Sequence, residues 1–226
     1  MIPYFIFNGI DSSEYLIINK LPSIFKAQKD VEKIEVQGRD GFLTQDNGNY
    51  KSIIKTVECT IKDLKQIDFI CNWLTGSGDV IFSNESDKKY KATIINQIEF
   101  KRVFVNFHSF IIQFDCQPHK YSLSNNKITL TTSGTKIYNK GADSRPVIKI
   151  FGTGNIDLTV NSNVIHLTNV VDYVAIDSEL MDCYKDTVLK NNYMIGEFPV
   201  LKNGANTISW TGTVTKIEVT PNWRWL

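Results

Sequence analysis

The sequence has almost no excess of charge of either sign. Its 226 residues include 25 lysines and arginines against 24 aspartates and glutamates, which leaves a net charge of +1. Proteins that bind nucleic-acid phosphates concentrate lysine and arginine, so we expect no nucleic-acid contact through a basic surface. No apolar run approaches the ~20 residues of a membrane helix, and the apolar residues 2–7 have no basic residue before Lys20. We therefore expect neither membrane insertion nor a secretory signal.

Few residues suit catalysis or metal binding. There are three histidines and four cysteines, with no Cys-x-x-Cys pair, no Gly-x-Ser-x-Gly elbow and no Gly-x-x-x-x-Gly-Lys loop. Cys116 and His119 have ligand-like spacing, but zinc sites usually need a second local pair. Asp177 with Glu179 or Asp182 would suit a paired-carboxylate hydrolase, although acidic residues near a turn are mostly solvated. We expect no catalytic residue, no metal, no cofactor and reduced cysteines, and hence no enzyme.

The residues that are abundant favour β-structure. Hydrophobic residues make up 42% and aromatic residues 12% of the chain, which excludes disorder. A stretch rich in Ser, Asn and Thr at 121–135 indicates a domain boundary, and short, evenly spaced strands beyond it are typical of an antiparallel sandwich or jelly roll. The segment 152–154, Gly-Thr-Gly, is interpreted as a hairpin turn. We predict a mainly β protein with two β-sandwich-like domains, at 1–125 and 126–226.

One α-helix is predicted at 63–75 in the N-terminal domain. Four apolar residues recur there at helical spacing: Leu64, Ile67, Cys71 and Leu74. Asp63 and Gln66 resemble a capping box, and Gly76 fits a left-handed C-terminal cap. Trp73 flanks the apolar stripe, so we expect it to anchor the helix against a sheet.

Two segments are candidate contact surfaces. Gly38 and Gly41 bracket Arg39 and Asp40 in a loop that either presents a charge pair to a neighbour or holds an internal salt bridge. In the run 98–116, apolar residues occupy both strand parities, which predicts a strand buried on both sides, in a sandwich or against another subunit. The residues that we expect at an oligomer interface are Arg39, Asp40, Val103, Val105 and Phe107.

An alternative function depends on the C-terminal tryptophans. Exposed aromatic rings stack on sugars, and Trp210, Trp223 and Trp225 lie in the jelly-roll-like half of the chain. The sequence motifs of galectins are absent, and large aromatic residues are more often core or interface anchors. The alternative is therefore a carbohydrate-binding module built on the C-terminal domain.

Several segments, taken in order, resemble one protein family. They cover nearly the whole chain and lie at 5–13, 38–41, 73–76, 82–83, 114–121, 139–141, 144–150, 152–154, 198–206 and 221–224. Together they are similar to the distal tail proteins of long-tailed phages that infect Gram-positive bacteria. No large inserted module interrupts them.

The resemblance implies a structural role. Members have an N-terminal β-rich domain with one helix, which forms a hexameric ring, and a C-terminal galectin-like β-sandwich without an implied sugar site. The expected function is a hub in the tail tip or baseplate of a phage, prophage or tail-like particle. The expected partners are five further copies of the chain, the tail tube protein, the tail-associated adhesin or fibre, and a receptor-binding protein at the periphery. The expected location is the virion, after synthesis in the cytoplasm of the host bacterium.

Overall fold

A computed structural model describes residues 2–104 and 107–226. The chain forms two compact units, one ending at Leu123 and the other spanning Ser124–Trp225. Both are built from antiparallel strands, and the predicted fold class, mainly β with one α-helix, is confirmed. No helix in the described ranges is long and apolar enough to cross a membrane.

In its described residues, the first unit has ten strands and one α-helix. The strands are β1 (Phe5–Phe7), β2 (Ile10–Asp11), β3 (Leu16–Lys20), β4 (Lys29–Glu35), β5 (Phe42–Tyr50), β6 (Ile53–Ile61), β7 (Ser77–Phe82), β8 (Lys88–Ile94), β9 (Lys101–Phe104) and β10 (Phe107–Ser122), and α1 is Ile67–Trp73. The main sheet has the order β2-β1-β7-β8-β10-β6-β3, and β9 pairs with β10. Strands β4 and β5 form a separate two-stranded ribbon.

The helix is shorter than the predicted segment 63–75. A 3-10 turn, Leu64–Gln66, precedes α1, and Asp63 accepts a hydrogen bond from the Lys65 amide at its start. Gly76 has φ +74°, as a left-handed cap requires. Ile70, Trp73 and Leu74 are buried, whereas Leu64 and Cys71 are exposed, so the predicted stripe was wrong at these two positions.

Trp73 fixes the helix to the sheet. Its Nε1 donates a 2.9 Å hydrogen bond to the carbonyl oxygen of Phe7, and its ring stacks on Phe5 with centroids 5.7 Å apart. Phe5 in turn contacts Phe114 edge-on at 5.6 Å. Strands β1 and β10 and the helix α1 therefore share one aromatic core, and Trp73 anchors the helix to the sheet as we expected.

The run 98–116 is not one strand buried on both sides. It divides into β9 and β10, which pair with each other as a hairpin. In β10 the residues of one parity, including Phe110, Ile112 and Phe114, are buried in the core. Ile111, of the other parity, lies on the outer face of the sheet and is exposed. The second apolar face is therefore uncovered in the single chain.

The second unit also contains ten strands. They are β11 (Ile128–Leu130), β12 (Thr135–Asn139), β13 (Val147–Val160), β14 (Asn163–Val170), β15 (Tyr173–Asp177), β16 (Asp182–Lys185), β17 (Val188–Leu189), β18 (Met194–Ile195), β19 (Gly204–Thr220) and β20 (Arg224–Trp225). Strands β13 and β19 run side by side through the middle and change partners along their length. The first part of β13 pairs with β15 and its second part with β14, while β19 pairs first with β12 and then with β11.

A bend in the two long strands folds the sheet over one core. Residues from before the bend, such as Ile148 and Ile150, share a buried cluster with Leu158 and Val160 from after it. The register of β13 with β19 shifts between Phe151 and Gly152 and again between Thr153 and Asp157. Such bulges bend a strand and increase its twist, which gives this unit its sandwich-like form.

The bend lies at 152–154, where we predicted a hairpin turn; that prediction was wrong. The chain continues through these residues as one strand. The glycine is needed because β13 and β19 approach each other closely at the bend. A Cβ on Gly152 would lie 2.2 Å from the carbonyl oxygen of Thr213. Gly212 on the facing strand has φ +92°, and a Cβ there would lie 2.4 Å from the carbonyl oxygen of Asn155.

Gly152→Ala should destabilise the second unit by about 3 kcal/mol, because the added methyl group would force two backbones apart. Gly154→Ala is the matched control at the same bend. Gly154 has φ +83° but open space around its Cβ position, so only the left-handed backbone opposes alanine, at about 1 kcal/mol. Urea denaturation would measure both variants. Equal losses would show that the backbone contact at Gly152 does not determine the bend.

Candidate functional site: the β4–β5 ribbon and the β9–β10 hairpin

The β4–β5 ribbon is the most exposed ordered part of the first unit. Every residue from 32 to 49 is exposed, and the ribbon contributes no residue to the core cluster of this unit. Its strands pair only with each other, with Ile34 opposite Leu43 and Glu35 opposite Phe42. An isolated two-stranded ribbon is marginally stable in water at best. This ribbon is therefore suited to pack against another surface.

The two faces of the ribbon differ in chemistry. Because successive side chains alternate, Ile34, Val36 and Leu43 share one face, and this face is apolar near the tip. On the other face Phe42 is covered by the ammonium group of Lys33, 4.4 Å from the ring centroid. The first face leaves three apolar side chains exposed to solvent. It is the better candidate for a protein contact.

Arg39 and Asp40 lie at the tip of the ribbon, as the two flanking glycines led us to expect. Gly38 has φ +82° and Gly41 φ +80°, and the Arg39 amide closes the turn on the Val36 carbonyl oxygen at 3.1 Å. Both side chains are exposed. Among the described residues neither forms an ion pair, so the internal salt bridge is not made. Both charges are available to a neighbouring molecule.

A buried charged cluster holds the base of the ribbon. Lys120 Nζ lies 2.6 Å from Glu85 Oε1, and Tyr90 donates its hydroxyl hydrogen to the other oxygen of this carboxylate. Lys55 Nζ lies 3.8 Å from the same oxygen and donates a 3.2 Å hydrogen bond to the carbonyl oxygen of Ser23. Ser23 belongs to the segment that leads into β4. The cluster thus connects β6, β8 and β10 to the entry of the ribbon.

The charges in this cluster shift one another's pKa values. Burial opposes ionisation of Glu85, but the hydrogen bonds from Lys120 and Tyr90 and the two ammonium charges outweigh it and hold the pKa of Glu85 below its usual value. Burial lowers the pKa of Lys55, and the carboxylate of Glu85 offsets this only in part. One carboxylate is therefore the shared counter-charge of two buried lysines.

The β9–β10 hairpin offers a second exposed apolar surface. Val103 and Phe107, both predicted contact residues, are exposed, as is Ile111 on the same hairpin. The third predicted apolar contact, Val105, lies outside the described residues. The structure therefore gives the first unit two different surfaces, the ribbon and the hairpin, that a single chain leaves uncovered.

The thiols do not form a reactive or metal-binding centre in the described ranges. All four cysteines are free, and no group of three or more metal-ligating residues occurs there. Burial raises the pKa of Cys116 to about 12 and that of Cys183 to about 11, which keeps both thiols protonated and unreactive. Cys59 borders a hollow of about 260 Å³, and burial raises the pKa of this thiol as well.

The acidic residues that we considered as a hydrolase pair shape a turn instead. Asp177 Oδ1 accepts hydrogen bonds from the amides of Glu179 and Leu180 at 2.9 and 3.0 Å. Asp182 accepts a hydrogen bond from Asn191. Asp177 is therefore used by local backbone amides, and Asp182 by the side-chain amide of Asn191.

The comparisons with known proteins agree with this architecture. No family model and no curated protein matches the sequence. Among solved structures, the chain is similar to the Dit protein of phage SPP1, described as a paradigm of the hub adsorption apparatus in Gram-positive infecting phages, with a TM-score of 0.82, 14% identity and 100% of both chains covered. It is also similar to a chain in the structure of the phage P2 baseplate in its activated conformation with Ca. The TM-score is 0.52 and the identity 10%, with 99% of this chain and 98% of that chain covered. For the corresponding structure with Sr, the TM-score is 0.51 and the identity 10%, with 98% of this chain and 99% of that chain covered.

These likenesses show the fold. The whole chain, both units included, has the fold of SPP1 Dit, and the resemblance to distal tail proteins is thereby confirmed at the level of structure. The buried Glu85 cluster was not predicted from the sequence. The sequence feature that could have indicated this cluster is Lys55. It lies at an inward position of β6, whose other inward residues, such as Ile53, Val57 and Cys59, are apolar.

Glu85→Gln should destabilise the first unit by about 3 kcal/mol at pH 7, because two buried ammonium groups would lose their only strong counter-charge in the cluster. The pH dependence follows from the lowered pKa of Glu85. Its stabilising effect is present above its unfolded pKa, near 4.5, and is lost as the pH falls through the folded value. Urea denaturation at pH 7 and pH 3.5 should therefore show the two proteins converging at acid pH.

Lys55→Met is the control for the Glu85 variant. It removes a desolvated cation rather than its counter-charge, so we expect a smaller loss of stability. A Lys55→Met loss as large as that of Glu85→Gln, or a difference between wild type and Glu85→Gln that stays constant with pH, would contradict the charge-balance explanation.

Proposed function

We propose that this protein is a structural subunit of a phage tail tip, where it acts as a hub of the baseplate. The observation that carries the proposal is the agreement of the fold with SPP1 Dit along the whole of both chains. The additional similarity to phage P2 baseplate chains supports the same setting. A structural role also agrees with the use of Asp177 in a turn and with the burial of the Cys59, Cys116 and Cys183 thiols.

The proposed assembly is a hexameric ring closed by contacts between unlike surfaces. A cyclic ring of this kind needs two different, complementary patches on each subunit. The apolar face of the ribbon and the exposed side chains of the β9–β10 hairpin provide two such patches. In the ring, Arg39, Asp40, Val103, Val105 and Phe107 lie at the subunit contacts.

The two domains have separate roles in this proposal. Residues 1–125 form the ring and stack on the tail tube protein, and the opposite side of the ring receives the tail-associated adhesin or fibre. Residues 126–226 form the periphery, where a receptor-binding protein attaches. The protein is located in the virion, after synthesis in the host bacterium.

Native mass spectrometry and light scattering of the purified protein test the ring directly. We expect a species of six times the 25.8 kDa of one chain, formed either by the protein alone or after addition of tail tube and adhesin proteins of the same phage. A strict monomer at high concentration that binds neither protein would contradict the proposal.

Leu43→Asp should weaken self-association, because it places a charge on the apolar face of the ribbon. Phe42→Asp is the matched control, since Phe42 is adjacent in sequence and 50% exposed, against 42% for Leu43, but lies on the opposite face. Neither substitution removes a core residue, so both monomers should keep the stability of the wild type. We expect Leu43→Asp to raise the concentration needed for assembly by about tenfold or more and Phe42→Asp to have a smaller effect. The reverse order would exclude the apolar face as the contact.

A further inference from the structure

The outer sheet surface of the second unit carries a hollow of about 190 Å³. Strand register brings four of its residues into one row that crosses the sheet: Glu218 on β19, Lys149 on β13, Ala175 on β15 and Tyr184 on β16. The alanine leaves space between the longer side chains on either side. The row therefore forms a shallow site with a small apolar floor and polar ends.

Tyr184 provides an unoccupied aromatic ring. It is partly buried, and within the described residues its ring contacts no other aromatic ring or lysine and its hydroxyl group has no hydrogen-bond partner. The neighbouring Tyr173 differs, because Lys149 Nζ lies 3.6 Å from its ring centroid and covers one face. Tyr184 is thus the ring that a ligand in this hollow would stack against.

The rim presents fixed hydrogen-bonding groups. Tyr173 donates its hydroxyl hydrogen to Asp186, which holds this carboxylate at one side of the hollow. At the other side Lys216 Nζ lies 2.6 Å and Lys127 Nζ 3.7 Å from the carboxylate oxygens of Glu218. Because the hydrogen bond from Lys216 keeps the pKa of Glu218 below its usual value, Glu218 is an ionised acceptor at neutral pH.

The charged side chains that line the hollow balance one another, and Lys216 beside it is bound to Glu218. Two lysines, Lys127 and Lys149, and two carboxylates, Asp186 and Glu218, line it. A site for a polyanion would concentrate positive charge, whereas this one is lined by both donors and acceptors. A polyhydroxylated neutral ligand uses both kinds of group, since each hydroxyl donates and accepts.

We propose that this hollow is a saccharide-binding subsite for one neutral sugar unit of a glycan. The ring of Tyr184 stacks on the apolar face of the pyranose, while Asp186, Glu218 and Lys149 bind its hydroxyl groups. The volume is below the roughly 300–1,000 Å³ of pockets for drug-sized ligands, which suits a single sugar unit. Tyr173 is a positioning residue that acts through Asp186.

The tryptophans that suggested carbohydrate binding in the sequence do not form this site. Trp210 and Trp223 pack against the core of the second unit. The row that contains Tyr184 lies instead on the exterior of the same sheet. The saccharide site is independent of the proposed ring, because its residues all belong to the second unit and none is among the predicted oligomer contacts.

Saturation-transfer NMR on the full-length protein tests the subsite with defined probes: glucose, galactose, N-acetylglucosamine, N-acetylgalactosamine and rhamnose, with glucuronate as the anionic comparison. We expect at least one neutral sugar to bind in the millimolar range, more strongly than glucuronate. Tyr184→Ala should weaken that binding about tenfold. Tyr138→Ala is the control, because Tyr138 is a 66% exposed tyrosine on β12 of the same unit.

Asp186→Asn provides a second variant that keeps the side-chain shape. It should weaken binding severalfold while leaving Tyr184 in place. Thermal unfolding and native mass spectrometry of each variant should match the wild type, so a loss of sugar binding with an unchanged assembly state separates this inference from the ring. No binding by any neutral sugar, preferential binding of glucuronate, or equal binding by wild type and Tyr184→Ala would overturn it.

Discussion

Two ammonium groups and one carboxylate share the interior of the first unit. Lys55, Glu85 and Lys120 are almost fully buried, and burying charge is unfavourable unless the charges are paired and hydrogen-bonded. The hydroxyl of Tyr90 and the carbonyl oxygen of Ser23 complete the pairing. The cluster joins side chains of β6, β8 and β10, whose spacing is set by their backbone hydrogen bonds. It also fixes the segment before β4, and through it the point from which the exposed ribbon begins.

The second unit depends on steric contact rather than on charge. Where β13 and β19 bend, the facing backbones are so close that neither Gly152 nor Gly212 has room for a Cβ. The bend lets two long strands serve both layers around one core. It also leaves the outer surface of β13, β15, β16 and β19 as a continuous sheet, on which cross-strand register aligns Tyr184 with the charged side chains beside it.

The features that the sequence predicted correctly depend on residues close together in the chain. The helix and its glycine cap were expected from spacing and cap chemistry, and Trp73 anchors it as predicted. The split of the run 98–116 into β9 and β10 was missed because apolar residues of both parities fit a doubly buried strand as well as a hairpin with one uncovered face. The bend at Gly152 was missed because glycine pairs mark hairpins and bulges alike. The Lys55 cluster depends on partners 30 and 65 residues away in sequence, which no local pattern contains.

The low identity to SPP1 Dit, 14% over the whole chain, shows how few positions this fold requires. Inward strand positions accept many apolar residues of suitable size, so the core constrains the sequence only loosely. Backbone contacts such as that at Gly152, and buried charges such as Glu85, constrain it much more. Surface positions are free of both constraints, and they include the ribbon and the hairpin. Differences in partner choice between proteins of this fold are therefore expected at these surfaces, while the core and the bend keep the architecture unchanged.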